Sequence, residues 1–160
     1  MDNNTLLTEV NSDNLTTATN PNSMPMVALR GKVILPSVTT TFDVGREKSL
    51  RALDAALAHE DDALLFVAAQ VDAAVENPSI ADVYEVGGVC RIKRCSRMPG
   101  DNLRVNVDAL YAARISQVYS VDEYFSVAVD EVFPDYGEAA ETEAYCRFVK
   151  DETRNYFLSI

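Results

Sequence analysis

The sequence has a single histidine, only three cysteines, few basic residues and no long apolar run. No apolar stretch reaches the roughly 18 residues that a membrane-spanning helix needs. Nothing before Arg30 is basic, which argues against a secretory signal. These shortages predict a cytoplasmic protein without a membrane partner.

The cysteines and the histidine predict neither a disulfide nor a metal site. Cys90 and Cys95 are expected on one strand, about 16 Å apart, whereas a disulfide tolerates only about 7 Å between Cα atoms. A zinc site at His59 would need carboxylates as further ligands, and this residue is expected to be exposed near a helix end. We therefore expect reduced, mostly buried cysteines and no catalytic, cofactor-binding or metal-binding residue.

The charge balance disfavours nucleic acid as a partner. The chain has 14 Lys and Arg against 25 Asp and Glu, a net charge of −11, and such a field repels phosphate groups. Five basic residues nevertheless fall on one predicted hairpin: Arg91, Lys93, Arg94, Arg97 and Arg104. Because interleaved aromatic residues are missing, we interpret them as an exposed strand face that pairs with acidic neighbours or with a partner.

The segment VGREKS, Val44 to Ser49, has the Lys-Ser pair of a nucleotide-binding loop but not its glycines. That loop reads G-x-x-x-x-G-K-[ST], and here Phe42 and Glu47 occupy the two glycine positions. A carboxylate next to Lys48 would repel phosphate groups. We interpret the segment as a helix start, with Glu47 at the positive end of the helix dipole.

Apolar periodicity predicts a mainly β (α+β) chain. Residues 1–23, rich in asparagine and threonine, are expected to form a disordered tail. Alternation predicts a half-buried strand from Val38 to Val44, and ALLFVAA (63–69) predicts a strand that is buried on both faces. Between them, the spacing from 46 to 59 predicts an amphipathic helix whose buried face consists of Leu50, Leu53, Ala56 and Leu57.

The second half of the chain predicts a hairpin and a long helix. Apolar strands flank Pro99-Gly100-Asp101-Asn102, which has the composition of a tight turn. From 138 to 160 the period becomes helical, with a stripe of Tyr145, Phe148, Val149, Tyr156 and Ile160. An apolar stripe that continues to the last residue suggests a piece of something larger.

Several motifs in one order resemble the amino-terminal domain of the Lon protease family. They are MPMVALRGKVILPSVTTTFDVGREKSLRALDAAL, ALLFVAAQ, DVYEVGGVCRIKR, the Pro-Gly hairpin and LRVNVDALYAARI. The resemblance spans residues 24–134, and the helix 138–160 matches the beginning of the family's helical region. Leu35-Pro36-Ser37 and Thr41-Phe42-Asp43 depart from the family's usual residues.

The resemblance implies a six-stranded, PUA-like pseudo-barrel with one packed helix, followed by the long helix. The full enzyme of this family is a hexameric ATP-dependent serine protease with a Ser-Lys dyad, which uses ATP and magnesium. Neither the nucleotide loop nor the dyad segment is found in these 160 residues, so the chain itself is expected to hydrolyse nothing.

The implied task is recognition of unfolded or damaged proteins, together with support of the hexamer through the long helix. The candidate substrate-binding residues are Leu35 and Pro36 in the first loop and Met98 and Pro99 at the hairpin tip, although all four suit loop-anchoring core positions equally well. One alternative is a stand-alone adaptor for a specific protein partner. Another is a nucleic-acid module, because related pseudo-barrels bind RNA.

Overall fold

A computed structural model describes residues 23–59, 62–135, 137 and 139–159. The predicted tail therefore lies outside the described residues, apart from Ser23. The described residues form six strands and two α-helices, in the order β1 (Met24–Leu29), β2 (Thr39–Val44), α1 (Glu47–Leu57), β3 (Leu64–Ala69), β4 (Val86–Arg97), β5 (Leu103–Ser120), β6 (Phe125–Glu131) and α2 (Ala139–Ser159), with a 3-10 turn at Ile80–Asp82.

The six strands form one sheet, which closes on itself through β5. The strand order is β2-β5-β4-β3-β1-β6, and β5 also pairs with β6. β5 can do this because its residues 103–108 pair with β2 and its residues 113–120 pair with β6, with register shifts that bend the strand. Among the strands that the structure describes, β1 and β3 are the one pair that runs parallel. The predicted mainly β, six-stranded pseudo-barrel is confirmed.

The apolar interior consists of two clusters, and β1 and β3 contribute to both. Val27 and Val67 belong to the cluster beneath α1, while Met26 and Phe66 belong to the other cluster. Successive strand residues point to opposite faces, so a strand that lies between two clusters must be apolar at every position. This explains the uninterrupted run in ALLFVAA, and the prediction of a strand buried on both faces is confirmed.

Helix α1 begins at Glu47, so VGREKS is a helix start as predicted. Its buried residues are Ser49, Ala52, Leu53 and Ala56. Leu57, expected on the buried face, is 42% exposed, and that prediction was wrong. Leu53 and Ala56 are therefore buried as predicted, while the buried face extends to the small residues Ser49 and Ala52 rather than to Leu57.

The predicted hairpin and long helix are also present. β4 and β5 are joined at Pro99–Asn102, where Gly100 and Asp101 have φ angles of 79° and 59° and the Met98 amide donates to the Asn102 carbonyl at 2.8 Å. No residue of α2 is buried, and Tyr145, Phe148, Val149 and Tyr156 of the predicted stripe are exposed. Ile160, the last residue of that stripe, lies outside the described residues. Among the described residues, no helix is both long and apolar enough to cross a membrane.

The three cysteines are free, and their burial differs. Cys90 is fully buried and Cys95 is partly buried, both on β4 as predicted. Burial raises the pKa of the Cys90 thiol to about 12. Cys146 is exposed on α2, so the expectation of burial was wrong there, because this helix packs none of its faces into the core.

Candidate functional site

An open groove of about 530 Å³ lies between the loop after β1 and the beginning of β4. We call it the apolar groove. Its lining is apolar except for Glu85 and comprises Val33, Ile34, Val67, Ala69, Tyr84, Glu85, Val86 and Gly87.

The loop wall of the groove is formed by residues 33–35, which alternate between exposure and burial. Ile34 is buried against β4: a Cβ on Gly88 would lie 3.1 Å from its Cγ2 atom. Val33 and Leu35, on either side, are 70% and 63% exposed. One buried isoleucine therefore anchors the loop and leaves two large apolar side chains in solvent.

The opposite wall is the segment that enters β4. Val83 is buried, whereas Tyr84 and Val86 are exposed. The Tyr84 amide donates to the Ala69 carbonyl at 3.0 Å, which holds this wall against the end of β3. Glu85, the one charged lining residue, pairs with Arg114 at 3.4 Å. An extended apolar segment of another polypeptide would fit the chemistry of such a surface.

The four residues predicted to bind substrate do not form a single site. Leu35 and Pro36 are exposed beside the apolar groove, Pro99 is exposed at the hairpin tip, and Met98 there is partly buried. The two loops lie at opposite ends of β2, whose six residues put about 17 Å between them. The structure thus places Leu35 and Pro36 next to a groove, and Met98 and Pro99 elsewhere.

Sequence reasoning missed Val33, Tyr84 and Val86. The available signal was the alternation in VYEV, because Tyr84 and Val86 occupy the face opposite to Val83 and are both apolar. A strand end with apolar residues on both faces either has both faces buried in the core or has one face available to contact a partner.

A second open cleft, of about 690 Å³, lies between the end of β1, β2 and the start of α1. We call it the basic cleft. Within the described part of the chain, its charged lining residues are Arg30, Lys32, Arg46, Arg104 and Asp43, four cations against one carboxylate, or a net charge of +3. This excess is opposite in sign to the net charge of −11 of the whole chain.

Among the described residues, Arg104 is the one cation of the basic cleft that has a carboxylate partner. Arg104 donates to both oxygens of Asp43, at 2.7 and 2.9 Å, and this pairing lowers the pKa of the Asp43 carboxyl. The other three cations donate to neutral oxygens: Arg30 to the Glu76 carbonyl, Lys32 to the Thr41 carbonyl, and Arg46 to the Ala28 carbonyl and the Gln70 side chain.

Arg46 lies deepest of these three. Burial, and secondarily the charge of Arg30, lowers the pKa of its guanidinium. Its partner Gln70 is itself buried and donates to the carbonyl oxygens of Asp72 and Val75 at 3.2 and 3.0 Å. Arg46 is therefore held in place by a buried amide, and nothing in that contact neutralises its charge.

The basic residues of the hairpin behave largely as interpreted from the sequence. Arg91 pairs with Asp62 at 2.9 Å and Lys93 with Asp108 at 3.2 Å, while Arg104 pairs with Asp43. These three belong to an exposed strand face that is paired with acidic neighbours, whereas Arg94 and Arg97 make no ion pair with a described residue. Within the described part of the chain, no group of three or more His, Cys, Asp or Glu side chains could hold a metal ion.

The fold is a six-stranded β pseudo-barrel with one packed helix, and sequence comparison identifies its family. Residues 23–158 match the ATP-dependent protease La (LON) substrate-binding domain, and the chain belongs to this family. It is similar to the Lon protease of Clostridioides difficile (strain 630), with 36% identity over 83% of this chain and 17% of that protein. It is also similar to Lon protease 1 of Bacillus subtilis (strain 168), with 32% identity over 84% of this chain and 17% of that protein.

Solved structures show the same fold. The N-terminal domain of Mycobacterium avium complex Lon protease superposes with a TM-score of 0.63 at 20% identity, over 85% of this chain and 70% of that chain. A Lon N-terminal domain protein from Xanthomonas campestris gives a TM-score of 0.51 at 18% identity, over 71% and 61% of the two chains. The sequence-based assignment to the Lon family is confirmed.

Proposed function

We propose that the chain binds unfolded or damaged proteins for degradation by a Lon-type protease, and that the apolar groove is the contact surface. The observation that carries this proposal is the exposure of Val33, Leu35, Tyr84 and Val86 around one groove in a substrate-binding domain. Native proteins bury their apolar segments, so a surface that recognises such segments distinguishes unfolded chains from folded ones.

The expected affinity for one apolar segment is low. Covering apolar surface gains about 25 cal/mol per Å², and a shallow open groove covers only part of a bound segment. Association also costs several kcal/mol in lost freedom. Weak sites repeated around a hexamer would raise the effective concentration of substrate. Met98 and Pro99 remain a predicted second contact, which a long unfolded chain could reach together with the groove.

The direct experiment compares binding of a permanently unfolded protein with binding of its native form. The 160-residue chain should bind the unfolded form alone, and Val33→Ser and Tyr84→Ser should each weaken that binding severalfold. Val118→Ser is the matched control, because Val118 is an exposed valine on β5 that does not line the groove.

Three results would argue against this proposal. Equal binding to native and unfolded protein would remove the selectivity for unfolded chains. Unchanged binding by both groove variants would mean that the unfolded protein contacts a surface other than the apolar groove. Binding of one folded protein alone would favour the stand-alone adaptor.

We further propose that the chain by itself hydrolyses nothing and that ATP and magnesium act elsewhere in the parent enzyme. The chain spans 17% of the length of the Lon proteases from C. difficile and B. subtilis. The exposed stripe of α2 would then contact the remainder of Lon in its hexamer. An unfolded protein incubated with the chain, ATP and magnesium should stay intact, and any cleavage that depends on the chain would contradict this assignment.

A further inference from the structure

The basic cleft has charge and hydrogen-bonding capacity that the described residues leave unused. Within residues 23–59, 62–135, 137 and 139–159, no carboxylate lies within 4.0 Å of the side-chain nitrogens of Arg30, Lys32 or Arg46. A guanidinium carries five N–H donors in a planar fork, and that of Arg46 uses its bonds on two neutral oxygens. Donors and positive charge therefore remain for a ligand.

A hydroxyl group beside Arg46 also has no hydrogen-bond partner among the described residues. Ser49 lines the basic cleft on the first turn of α1 and is only 8% exposed. Its hydroxyl makes no hydrogen bond within the described residues. No described side-chain oxygen is both fully buried and unpartnered, so this hydroxyl reaches the open side of the cleft, where it can donate to a ligand.

The start of α1 adds a third contribution to the same cleft. Its N-cap residue is Arg46, and no side chain caps the helix. The carboxylate of Glu47 in the first turn pairs with Arg51 at 2.6 Å. The first backbone amides of a helix lack intrahelical partners and carry the positive end of the dipole, so Arg46 and Ser49, which line the cleft, lie at a positive helix end.

We propose that the basic cleft binds a carboxylate of a polypeptide, either an acidic side chain or a chain end, with Arg46 as the main ligand and Arg30, Lys32 and Ser49 beside it. A planar guanidinium matches the two oxygens of a carboxylate. This site goes beyond the apolar groove and does not depend on it, since the two surfaces have different linings.

The surrounding charge favours a polypeptide over a nucleic acid as the occupant. A single carboxylate needs only the local excess of +3 in the cleft. A nucleic acid would lay successive phosphates, one per few ångströms of strand, along a protein whose net charge is −11. A site that binds acidic residues would let this domain prefer some polypeptides over others according to their sequence. Apolar contacts alone discriminate poorly between sequences.

The test uses short labelled peptides that contain no apolar residue, so that failure of the groove proposal cannot affect the result. The first peptide consists of glycine, serine and glutamate and has blocked ends. The second consists of glycine and serine and has a free carboxyl end. The third is the first peptide with glutamine in place of glutamate, and its ends are also blocked. A single-stranded RNA of similar length is the fourth probe. Binding to the 160-residue chain is measured by fluorescence anisotropy at low and at moderate salt.

We expect a carboxylate-bearing peptide to bind, more weakly as salt is added, and the blocked glutamine peptide to show no binding. The first two peptides tell whether the carboxylate comes from a side chain or from a chain end. Arg46→Gln should weaken binding about tenfold or more, since bonds to charged groups are the strong ones. Arg46→Lys should also weaken it because the planar fork is lost.

Two further variants keep the test valid if Arg46 proves necessary for folding. Arg30→Gln and Lys32→Gln change exposed residues and should each weaken binding by a factor of about 2–5. Arg97→Gln, an exposed arginine outside the cleft, changes the net charge equally and should leave affinity unchanged. Binding of neither carboxylate peptide, binding unaffected by the Arg30 and Lys32 substitutions, or preferential binding of RNA would each overturn the proposal.

Discussion

A methyl group on Gly87 would lie 2.4 Å from the carbonyl oxygen of Val67. The obstacle is backbone on the neighbouring strand, so no side chain can turn aside to relieve it. Gly87 also lines the apolar groove. The glycine therefore lets β4 begin in close contact with β3, within the groove that the exposed Tyr84 and Val86 also line.

The first prediction concerns this close approach of β4 and β3. Gly87→Ala should lower the free energy of unfolding by about 1–3 kcal/mol, the usual cost of overpacking. Gly88→Ala is the control, because its methyl would meet the Ile34 side chain at 3.1 Å, and a side chain can adjust. Urea unfolding of both variants measures the difference, and an equal loss for the two would contradict this account of Gly87.

Much of the fold could be predicted from the sequence because the decisive patterns are local. The alternation of apolar and polar residues predicted the strand that ends at Val44, and an uninterrupted apolar run predicted β3, which is buried on both faces. The turn at Gly100 and Asp101 requires positive φ, which their composition signals. The motifs shared with the Lon family supplied the topology, which periodicity alone does not determine.

The groove could not be predicted, because burial there depends on residues far apart in the chain. Ile34 and Leu35 are adjacent and similar in hydrophobicity, yet only Ile34 meets Gly88 and is buried. The basic cleft could not be predicted for the same reason, since Arg30 and Arg46 come together only when β1 and α1 pack. The sequence alone predicted an apolar loop in place of the groove and a helix start in place of the cleft.

The second prediction tests the buried face of α1. Leu53→Ala should cost about 2–5 kcal/mol, as is typical for a leucine in a core, because Leu53 is completely buried. Leu57→Ala is the matched control and should cost less than about 1 kcal/mol, since this leucine is partly in solvent. Thermal and urea unfolding should agree. A larger loss of unfolding free energy in Leu57→Ala than in Leu53→Ala would mean that Leu57 belongs to the buried face, as expected from the sequence.

The third prediction concerns thiol reactivity. In the native chain a disulfide reagent should modify Cys146 rapidly and Cys90 only after unfolding. Cys146 is exposed, whereas burial raises the pKa of Cys90 to about 12, and the thiolate is the reactive form. Cys146→Ser should remove the fast phase. Rapid native labelling of Cys90 would show that β4 opens, and would contradict the packing described above.

The fourth prediction concerns the ion pair between Arg104 and Asp43. The hydrogen bonds from Arg104 lower the pKa of Asp43 below its ordinary value of 3.8, with a smaller effect from Lys32. A lowered folded-state pKa contributes stability that is present above the unfolded-state pKa and is lost as pH falls through the folded-state pKa. In Arg104→Gln the Asp43 pKa should therefore rise, and the stability of this variant should depend less on pH in the acidic range.

An NMR titration of the side-chain carboxyls measures this change residue by residue. Asp82 is the internal control, because the Ser79 hydroxyl and amide lower its pKa without any contribution from Arg104. Its titration should be the same in both proteins, while that of Asp43 shifts upward. An Asp43 titration that did not move would mean that the bidentate contact does not persist in solution. Arg104 would then be a fourth unpaired cation, and the basic cleft would hold more positive charge than the present geometry gives it.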